Sequence, residues 1–238
     1  MNKIFIKEKL QNIGVFLEDI PLGDFDAIGE YTAKKNRSPN SDLYKSVGCF
    51  FRPNYERGIL IYNLIRKFEI KTFLEIGFGR GYGTFCAAKA MTDHGIFDGK
   101  ITTVDVNFNN EFLNNLTKVF PKNWFEKINF FKGSSDQFFE QNNEKFDLIY
   151  IDGDHRYDAV KNDWNNSEKI FNKFVLFDDY HLPTKKQKDI ECSKLIDEIE
   201  GYNKELIIMD RRIFFDDRRI SDELIDYGQV LLSKKGNE

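Results

Sequence analysis

The chain has 238 residues, of which 41% are hydrophobic and 31% charged, a composition typical of one globular domain with a modest extension. Its formal net charge of −4 argues against a nucleic-acid partner, because binding phosphates requires a basic face. The cysteines Cys49, Cys86 and Cys192 show no metal-ligand spacing, and no run reaches the roughly 18 apolar residues of a membrane span. We therefore expect reduced thiols, no membrane partner and a cytoplasmic location.

The first region in chain order is residues 1–54. Apolar pieces such as IGVFLEDI are separated by the turn-rich stretches PLGDFDAIG and KKNRSPNSD, and no strong period holds. We interpret this region as an N-terminal extension and a candidate lid, ahead of a main domain at 55–238. The main domain opens with YERGILIYNLIRKF, whose apolar residues near helical spacing predict an amphipathic helix over 55–68.

From Lys71 onward, apolar runs typical of buried strands alternate with helical patterns. The predicted strands are KTFLEIG, GKITTVDVN, KINFFKGS, KFDLIYIDG, KFVLFDDYH, KELIIMD and GQVLLSKK. This alternation predicts an α/β fold with a doubly wound, mostly parallel, seven-stranded sheet. Ligands of such sheets bind beyond the carboxyl ends of the strands. Acidic residues stand at these ends, namely Glu75, Asp105, Asp152, Asp154, Asp178 and Asp179.

The stretch TFLEIGFGRGYGT, residues 72–84, places a glycine at every second position directly after a predicted strand. A glycine-rich turn in this place most often binds a nucleotide, although it is also found as an ordinary strand-to-helix turn. A dinucleotide fingerprint would need its third glycine three residues after the second, whereas the spacing here stays at two. Glu75 precedes the first glycine and suits a cationic ligand, such as an amino-acid ammonium, better than a pyrophosphate.

The motif LEIGFGRG resembles the first motif of the class I S-adenosylmethionine-dependent methyltransferases, and the resemblance runs from about Tyr55 to the C-terminus. It implies that the glycine loop passes under the methionine part of the cofactor. It also implies that the acid in TTVDVN holds the ribose hydroxyls and that GSSDQF lines the adenine. The residues implied to bind the cofactor are Glu75, Gly77, Gly79, Gly81, Thr84, Asp105, Ser135 and Asp136. For Ser135 and Asp136, capping of the following helix is an equally good interpretation.

Two further stretches carry acidic residues, FDLIYIDGDHRYDAVKNDW at 146–164 and FVLFDDYH at 174–181. If their strands are neighbours, the carboxylates of Asp152, Asp178 and Asp179 and the imidazole of His155 meet in one cleft. Such a group of like charges is unfavourable unless a cation or protons compensate it. Hard oxygen ligands of this kind suit Mg²⁺, Mn²⁺ or Ca²⁺.

These stretches resemble the metal-dependent O-methyltransferases, which include the catechol, caffeoyl-coenzyme A and macrolide-sugar enzymes. The resemblance implies that Asp152, Asp178 and Asp179 bind a divalent cation, most simply Mg²⁺, and that His155 is the general base. The implied reaction is methyl transfer to a hydroxyl of a small molecule, a sugar or natural product, and a diol would chelate the ion well. A homo-oligomer is compatible with this family.

Several alternatives stay open at this point. The enzyme could use His155 as base without a metal, on oxygen or nitrogen, or His181 could be the base. The glycine loop could serve an NAD-dependent oxidoreductase, or a binding protein without turnover. Asp178 and Asp179 could cap a helix or lie in a solvated loop, and His155 could merely hold Asp154. The basic residues of KKNRSPN and of the segment 210–227 suggest an anionic group on the substrate.

Overall fold

The computed structural model describes residues 1–16, 19–20, 24–25, 28, 55–108, 110–181, 191–209 and 227–236. In this part of the chain, strands and helices alternate along the sequence. The strands are β1 (Asn2–Phe5), β2 (Thr72–Ile76), β3 (Lys100–Asp105), β4 (Ile128–Lys132), β5 (Phe146–Ile151), β6 (Phe171–His181), β7 (Tyr202–Ile208) and β8 (Tyr227–Lys234). The helices are α1 (Ile6–Asn12), α2 (Tyr55–Phe68), α3 (Tyr82–Asp93), α4 (Asn110–Leu116), α5 (Lys122–Phe125), α6 (Ser135–Gln141), α7 (Tyr157–Ile170) and α8 (Cys192–Glu198).

The strands form one sheet in the order β1-β7-β8-β6-β5-β2-β3-β4. Every described strand pair is parallel except those of β8, which runs antiparallel to both β6 and β7. The predicted doubly wound, mostly parallel sheet is therefore confirmed, and so is the helix over 55–68. Among the described residues the sheet has eight strands rather than the seven predicted, because β1 adds an edge strand beside β7.

The beginning of the predicted extension is built into this sheet. Ile4 in β1, with Ile6 and Leu10 in α1, is buried in the apolar core on one face. These residues therefore contribute to the core of the domain, and the lid interpretation stays a prediction. The rest of the lid prediction, at 29–54, lies outside the described residues, as does the segment 210–226 with Arg211, Arg212, Arg218 and Arg219.

Each face of the sheet carries its own apolar core, because the side chains of a strand alternate between the two faces. In β2, Phe73 packs on the side of α2 and α3, while Leu74 and Ile76 pack on the side of α7 and α8. Strands buried on both faces are continuously apolar, which explains the uninterrupted hydrophobic runs in the sequence. Among the described helices, none has both the length and the apolarity that crossing a membrane requires.

The chain changes direction across the sheet between β2 and β5. From β2 it proceeds outward to β3 and β4, and it then returns to place β5 on the other side of β2. Connections that diverge from two adjacent parallel strands leave a crevice at their carboxyl ends, which is where open α/β sheets bind ligands. This crevice opens directly after Ile76 and Ile151.

Candidate active site

A cavity of about 760 Å³ occupies this crevice. Its volume lies within the range that small-molecule and cofactor sites usually have. It extends from the loop after β2, past the ends of β3 and β4, to the loop after β5 and the first turns of α7. The predicted site residues among its lining are Gly77, Gly79, Asp105, Ser135, Asp136 and Asp152.

The glycine loop passes against the loop after β5, and Gly77 is the point of contact. Gly77 has a φ of +94°, and a Cβ at this position would lie 2.1 Å from the carbonyl oxygen of Asp152. Both the conformation and the space therefore require glycine. Gly81, with a φ of +83°, directly precedes α3 and is not among the described residues that line the cavity.

Asp105 ends β3 at the rim of the cavity, where two backbone amides hold its carboxylate. The N–H of Gly79 donates to Oδ2 over 2.9 Å, and the N–H of Asn107 donates to Oδ1 over 2.7 Å. A carboxylate offers about four lone-pair positions, so acceptor capacity remains for a ligand's hydroxyl groups. The arrangement is compatible with the predicted ribose contact, which stays a prediction.

The loop after β4 shows which residue caps α6. Ser134 is the N-cap: its Oγ accepts from the N–H of Gln137 over 3.2 Å, and its N–H donates to Oε1 of Gln137 over 3.0 Å. This capping box satisfies the helix start without Ser135 or Asp136. The helix is therefore capped by Ser134 and not by Ser135 or Asp136. Ser135 and Asp136 line the cavity.

Glu75 and Thr84 lie behind the glycine loop, and neither is among the described residues that line the cavity. The Thr84 hydroxyl donates to Oε2 of Glu75, and the Thr103 hydroxyl lies 3.4 Å from the same oxygen. Burial raises the pKa of Glu75 to about 8, although both hydroxyls oppose that rise. The geometry thus gives Glu75 and Thr84 a role in supporting the loop, and their direct contact with the cofactor stays a prediction.

A second group of acidic side chains stands beside the cavity, which we call the acidic cluster: Asp152, Asp178 and Asp179. Successive side chains of a regular strand point to opposite faces, so Asp178 and Asp179 would normally diverge. The register between β6 and β8 shifts between Phe177 and Tyr180, and Asp179 has a φ of +51°. This irregularity turns both carboxylates toward Asp152. Non-glycine residues with such strained conformations concentrate at functional sites.

Arg57, in the first turn of α2, contacts all three carboxylates of the acidic cluster. Its Nη1 lies 2.5 Å from Oδ2 of Asp178 and 3.4 Å from Oδ2 of Asp152. Its Nη2 lies 3.2 Å from Oδ1 of Asp179. Arg57 is not among the site residues predicted from the sequence. Charge balance could have predicted it. A cluster of carboxylates needs a cation, and the predicted helix over 55–68 carries an arginine near its start.

Two neutral side chains complete the surroundings of Asp178, which is only 2% exposed. The Tyr150 hydroxyl lies 3.0 Å from Oδ2 of Asp178 and 3.2 Å from Oδ2 of Asp152. The Gln229 amide in β8 donates to Oδ1 of Asp178 and to the Tyr150 oxygen, each over 3.2 Å. Burial and the neighbouring Asp178 raise the pKa of Asp152 well above its ordinary value, while Arg57 opposes that rise.

His155 approaches the acidic cluster from the loop after β5. Its Nδ1 lies 3.3 Å from Oδ2 of Asp179 and 3.9 Å from Sγ of Cys192. Asp154, the neighbour that His155 was alternatively expected to hold, bonds instead to the Arg156 side chain. The imidazole is 36% exposed, so it is accessible to a ligand while one ring nitrogen faces a carboxylate.

Part of the acidic cluster, together with His155, has a geometry that could bind a divalent cation. Asp152, His155 and Asp179 each offer one ligand atom, and the three atoms lie within 4.8 Å of one another. Asp178, predicted as a ligand, is not in this set, because its oxygens face Tyr150, Gln229 and Arg57. Asp152 and Asp179 also pair with Arg57, so the cation remains a hypothesis. The side chain of His181 and the stretch Lys34–Asn40 lie outside the described residues.

The comparison with known protein families bears on residues 74–180, which match the model of a methyltransferase domain. The chain carries a methyltransferase domain over these residues. The match includes the glycine loop, Asp105 and the acidic cluster, and it argues against the nicotinamide-binding alternative. A search of curated protein sequences finds no significant match.

Solved structures resemble the methyltransferase over nearly its whole length. A candidate O-methyltransferase from Klebsiella pneumoniae is 14% identical, with 96% of this chain and 94% of that chain covered and a TM-score of 0.61. An O-methyltransferase from Bacillus cereus in complex with S-adenosylhomocysteine is 14% identical, with 97% of both chains covered and a TM-score of 0.59. TomG from Streptomyces achromogenes, an O-methyltransferase involved in tomaymycin synthesis and solved with S-adenosylmethionine, is 13% identical, with 91% and 100% covered and a TM-score of 0.55. These likenesses establish the shared fold.

Proposed function

We propose that the methyltransferase transfers a methyl group from S-adenosylmethionine to a hydroxyl of a small molecule, such as a sugar or natural product. The observation that carries the proposal is the position of the acidic cluster. Asp152 belongs to the cluster and also lines the cavity, together with Gly79 and Asp105. A cofactor in the cavity would therefore present its methyl group near His155 and the carboxylates. The structurally similar O-methyltransferases from Streptomyces achromogenes and Bacillus cereus support an oxygen acceptor.

In the proposed reaction, the substrate oxygen attacks the methyl carbon of the sulfonium as the carbon–sulfur bond breaks. The electron pair of that bond returns to sulfur, which leaves neutral S-adenosylhomocysteine. Holding the oxygen roughly 3–3.5 Å from the methyl group contributes about 7–11 kcal/mol through positioning. The hydroxyl proton passes to Nε2 of His155. Asp179, 3.3 Å from Nδ1, keeps the proton of the neutral ring on Nδ1 and stabilises the resulting imidazolium.

The reaction also benefits from a positive charge near the substrate oxygen, and the sequence analysis assigns this charge to a divalent ion such as Mg²⁺. Asp152, Asp179 and His155 would hold the ion, which would lower the pKa of the bound hydroxyl. The donor set does not fit the ion as long as Arg57 pairs with Asp152 and Asp179. The proposed proton transfer to His155 therefore uses no metal.

The proposal includes a small-molecule substrate, no nucleic-acid or membrane partner and a cytoplasmic location. A homo-oligomer is compatible with this function. Calorimetric titration of S-adenosylmethionine, followed by mass spectrometry of products from a panel of diols and their deoxy analogues, tests it. We expect saturable cofactor binding and methylated products only where the hydroxyl is present. Asp98→Asn, an exposed site paired with Lys71, is the matched control and should behave as wild type. Absence of cofactor binding would refute the proposal.

A further inference from the structure

The acidic cluster already contains a cation, which is the guanidinium of Arg57. We propose that Arg57 is the built-in cation of the acidic cluster and takes the place of a divalent ion, so that the methyltransferase works without a bound metal. The inference rests on the proposed function only in treating the cluster as part of the active site. Its test measures metal binding, which does not require methyl transfer, so either proposal can fail while the other stands.

The geometry of Arg57 is that of a shared counter-ion. Two nitrogens of its planar guanidinium reach three carboxylates at 2.5, 3.2 and 3.4 Å. A guanidinium keeps its charge at every relevant pH and presents several donors in a fixed fork, which suits neighbouring carboxylates better than a lysine would. Its side chain is only 19% exposed, so these pairs are weakly screened by solvent. Burial of this kind is tolerated when charges are paired.

Every carboxylate of the cluster has a partner within the chain. Asp178, the most buried, is bonded by Tyr150 and Gln229 in addition to Arg57. Asp179 lies between Arg57 and His155. Asp152 contacts Arg57 and the Tyr150 hydroxyl. The like-charge repulsion that would otherwise require a metal is therefore offset by side chains of the protein.

A divalent ion and the Arg57 side chain cannot share the cluster. The ion would need oxygens of Asp152 and Asp179, the two carboxylates that Arg57 contacts together with Asp178. It would also stand beside the positive charge of the Arg57 guanidinium, which repels a second cation. Metal binding therefore requires Arg57 to leave, and removal of Arg57 should expose a metal site. Arg57 also orients Asp179, which contacts His155, so it is a positioning residue for the proposed base.

The test compares Mn²⁺ binding by metal-stripped full-length proteins. Binding is measured from the electron paramagnetic resonance signal of free Mn²⁺. The variants are Arg57→Gln, Arg57→Lys and Arg57→Gln combined with Asp152→Asn, and Arg66→Gln on the exposed face of the same helix is the matched control. We expect no saturable Mn²⁺ binding at millimolar concentration in the wild type, Arg57→Lys or Arg66→Gln. We expect Arg57→Gln to bind Mn²⁺ at least tenfold more tightly, and the added Asp152→Asn to abolish that binding. Mn²⁺ should raise the melting temperature of Arg57→Gln alone.

Two results would overturn the inference. One is saturable Mn²⁺ binding by the wild type that Asp152→Asn abolishes, which can be measured even if Arg57→Gln does not fold. The other is a folded Arg57→Gln protein that binds Mn²⁺ no better than the wild type. Calorimetry with S-adenosylmethionine on the same samples separates these results from failure of the proposed function, because a protein that binds the cofactor retains the methyltransferase site whatever its response to Mn²⁺.

Discussion

The cavity's cofactor side and the acidic cluster are neighbours in space but are built in different ways. The cofactor side, defined by Gly77, Gly79 and Asp105, consists of backbone turns directly after β2 and β3, joined by hydrogen bonds to main-chain amides. The acidic cluster consists of side chains from the end of β5 and from β6, and its partners Arg57 and Gln229 come from α2 and β8. Its partners are as far apart in sequence as Arg57 and Asp179, which are separated by 122 residues.

This difference determines how each side responds to change. A site made of backbone turns depends on the few conformations that glycine permits, so it is sensitive to added side-chain volume. A site made of converging charges depends on compensation, so removal of one partner leaves the others unpaired. The two sides touch where Gly77 meets the carbonyl of Asp152. Substitutions on one side should therefore leave the function of the other intact, except at that contact.

The largest effect is expected for His155→Ala. Loss of the proposed proton acceptor should lower kcat by roughly 10²–10⁴-fold, the usual contribution of a general base. The Kd for S-adenosylmethionine should change less than about twofold, because His155 is not among the described residues lining the cavity. Single-turnover kinetics and calorimetry measure the two quantities. A parallel loss of cofactor affinity would contradict the separation of the two sides.

Next in size is Gly77→Ala, at the contact between the sides. The added Cβ would meet the Asp152 carbonyl at 2.1 Å in a backbone conformation unfavourable for alanine. We expect the free energy of unfolding to fall by roughly 2–4 kcal/mol. Gly79→Ala is the matched control, with a φ of +52° but no atom within 4 Å of the added Cβ. It should cost only about 1–2 kcal/mol, for the backbone strain. Urea denaturation distinguishes them, and equal losses would refute the close contact.

A smaller effect is expected for Asp105→Asn on the cofactor side. Hydrogen bonds to a charged acceptor contribute about 1.5–3 kcal/mol each, so the Kd for S-adenosylmethionine should rise roughly tenfold to a hundredfold. Isothermal titration measures this change, with Asp98→Asn as the exposed carboxylate control. Mn²⁺ binding by an Arg57→Gln protein should be unaffected by the added Asp105→Asn, which extends the test of independence. An unchanged Kd would remove Asp105 from the cofactor site.

The smallest effect, when measured over one pH unit, concerns the support beneath the glycine loop. Because the pKa of Glu75 is about 8 in the folded protein against an ordinary 4.5, the folded state keeps a proton that the unfolded chain releases between these values. The stabilisation is complete below pH 4.5 and is lost as the pH rises toward 8. The slope is at most about 1.4 kcal/mol per pH unit. Glu75→Gln should remove it from the pH dependence of unfolding, and an unchanged pH dependence would contradict the raised pKa.

The sequence by itself determined the elements that rest on local pattern. Seven strands, the helix over 55–68 and the glycine turn after β2 follow from hydrophobic periodicity and glycine spacing, which act within a few residues. Parallel strand ends also brought Asp105 and Asp152 to one edge of the sheet. The four-residue β1 escaped prediction because so short an edge strand leaves no periodic signal. The capping alternative for Ser135 and Asp136 points to the right helix start, but the N-cap is Ser134, because local sequence does not distinguish two adjacent serines.

Only the tertiary structure decided what surrounds the acidic cluster. The irregularity of β6 at Asp179 arises from its pairing with β8, a strand nearly fifty residues later in the chain. The contact of Arg57 with three carboxylates depends on how α2 packs against the sheet, and a helical pattern predicts which face is buried but not which atoms a long side chain reaches. Charge compensation was foreseeable as a requirement. Its source was not, because ion pairs form between residues brought together by packing rather than by spacing.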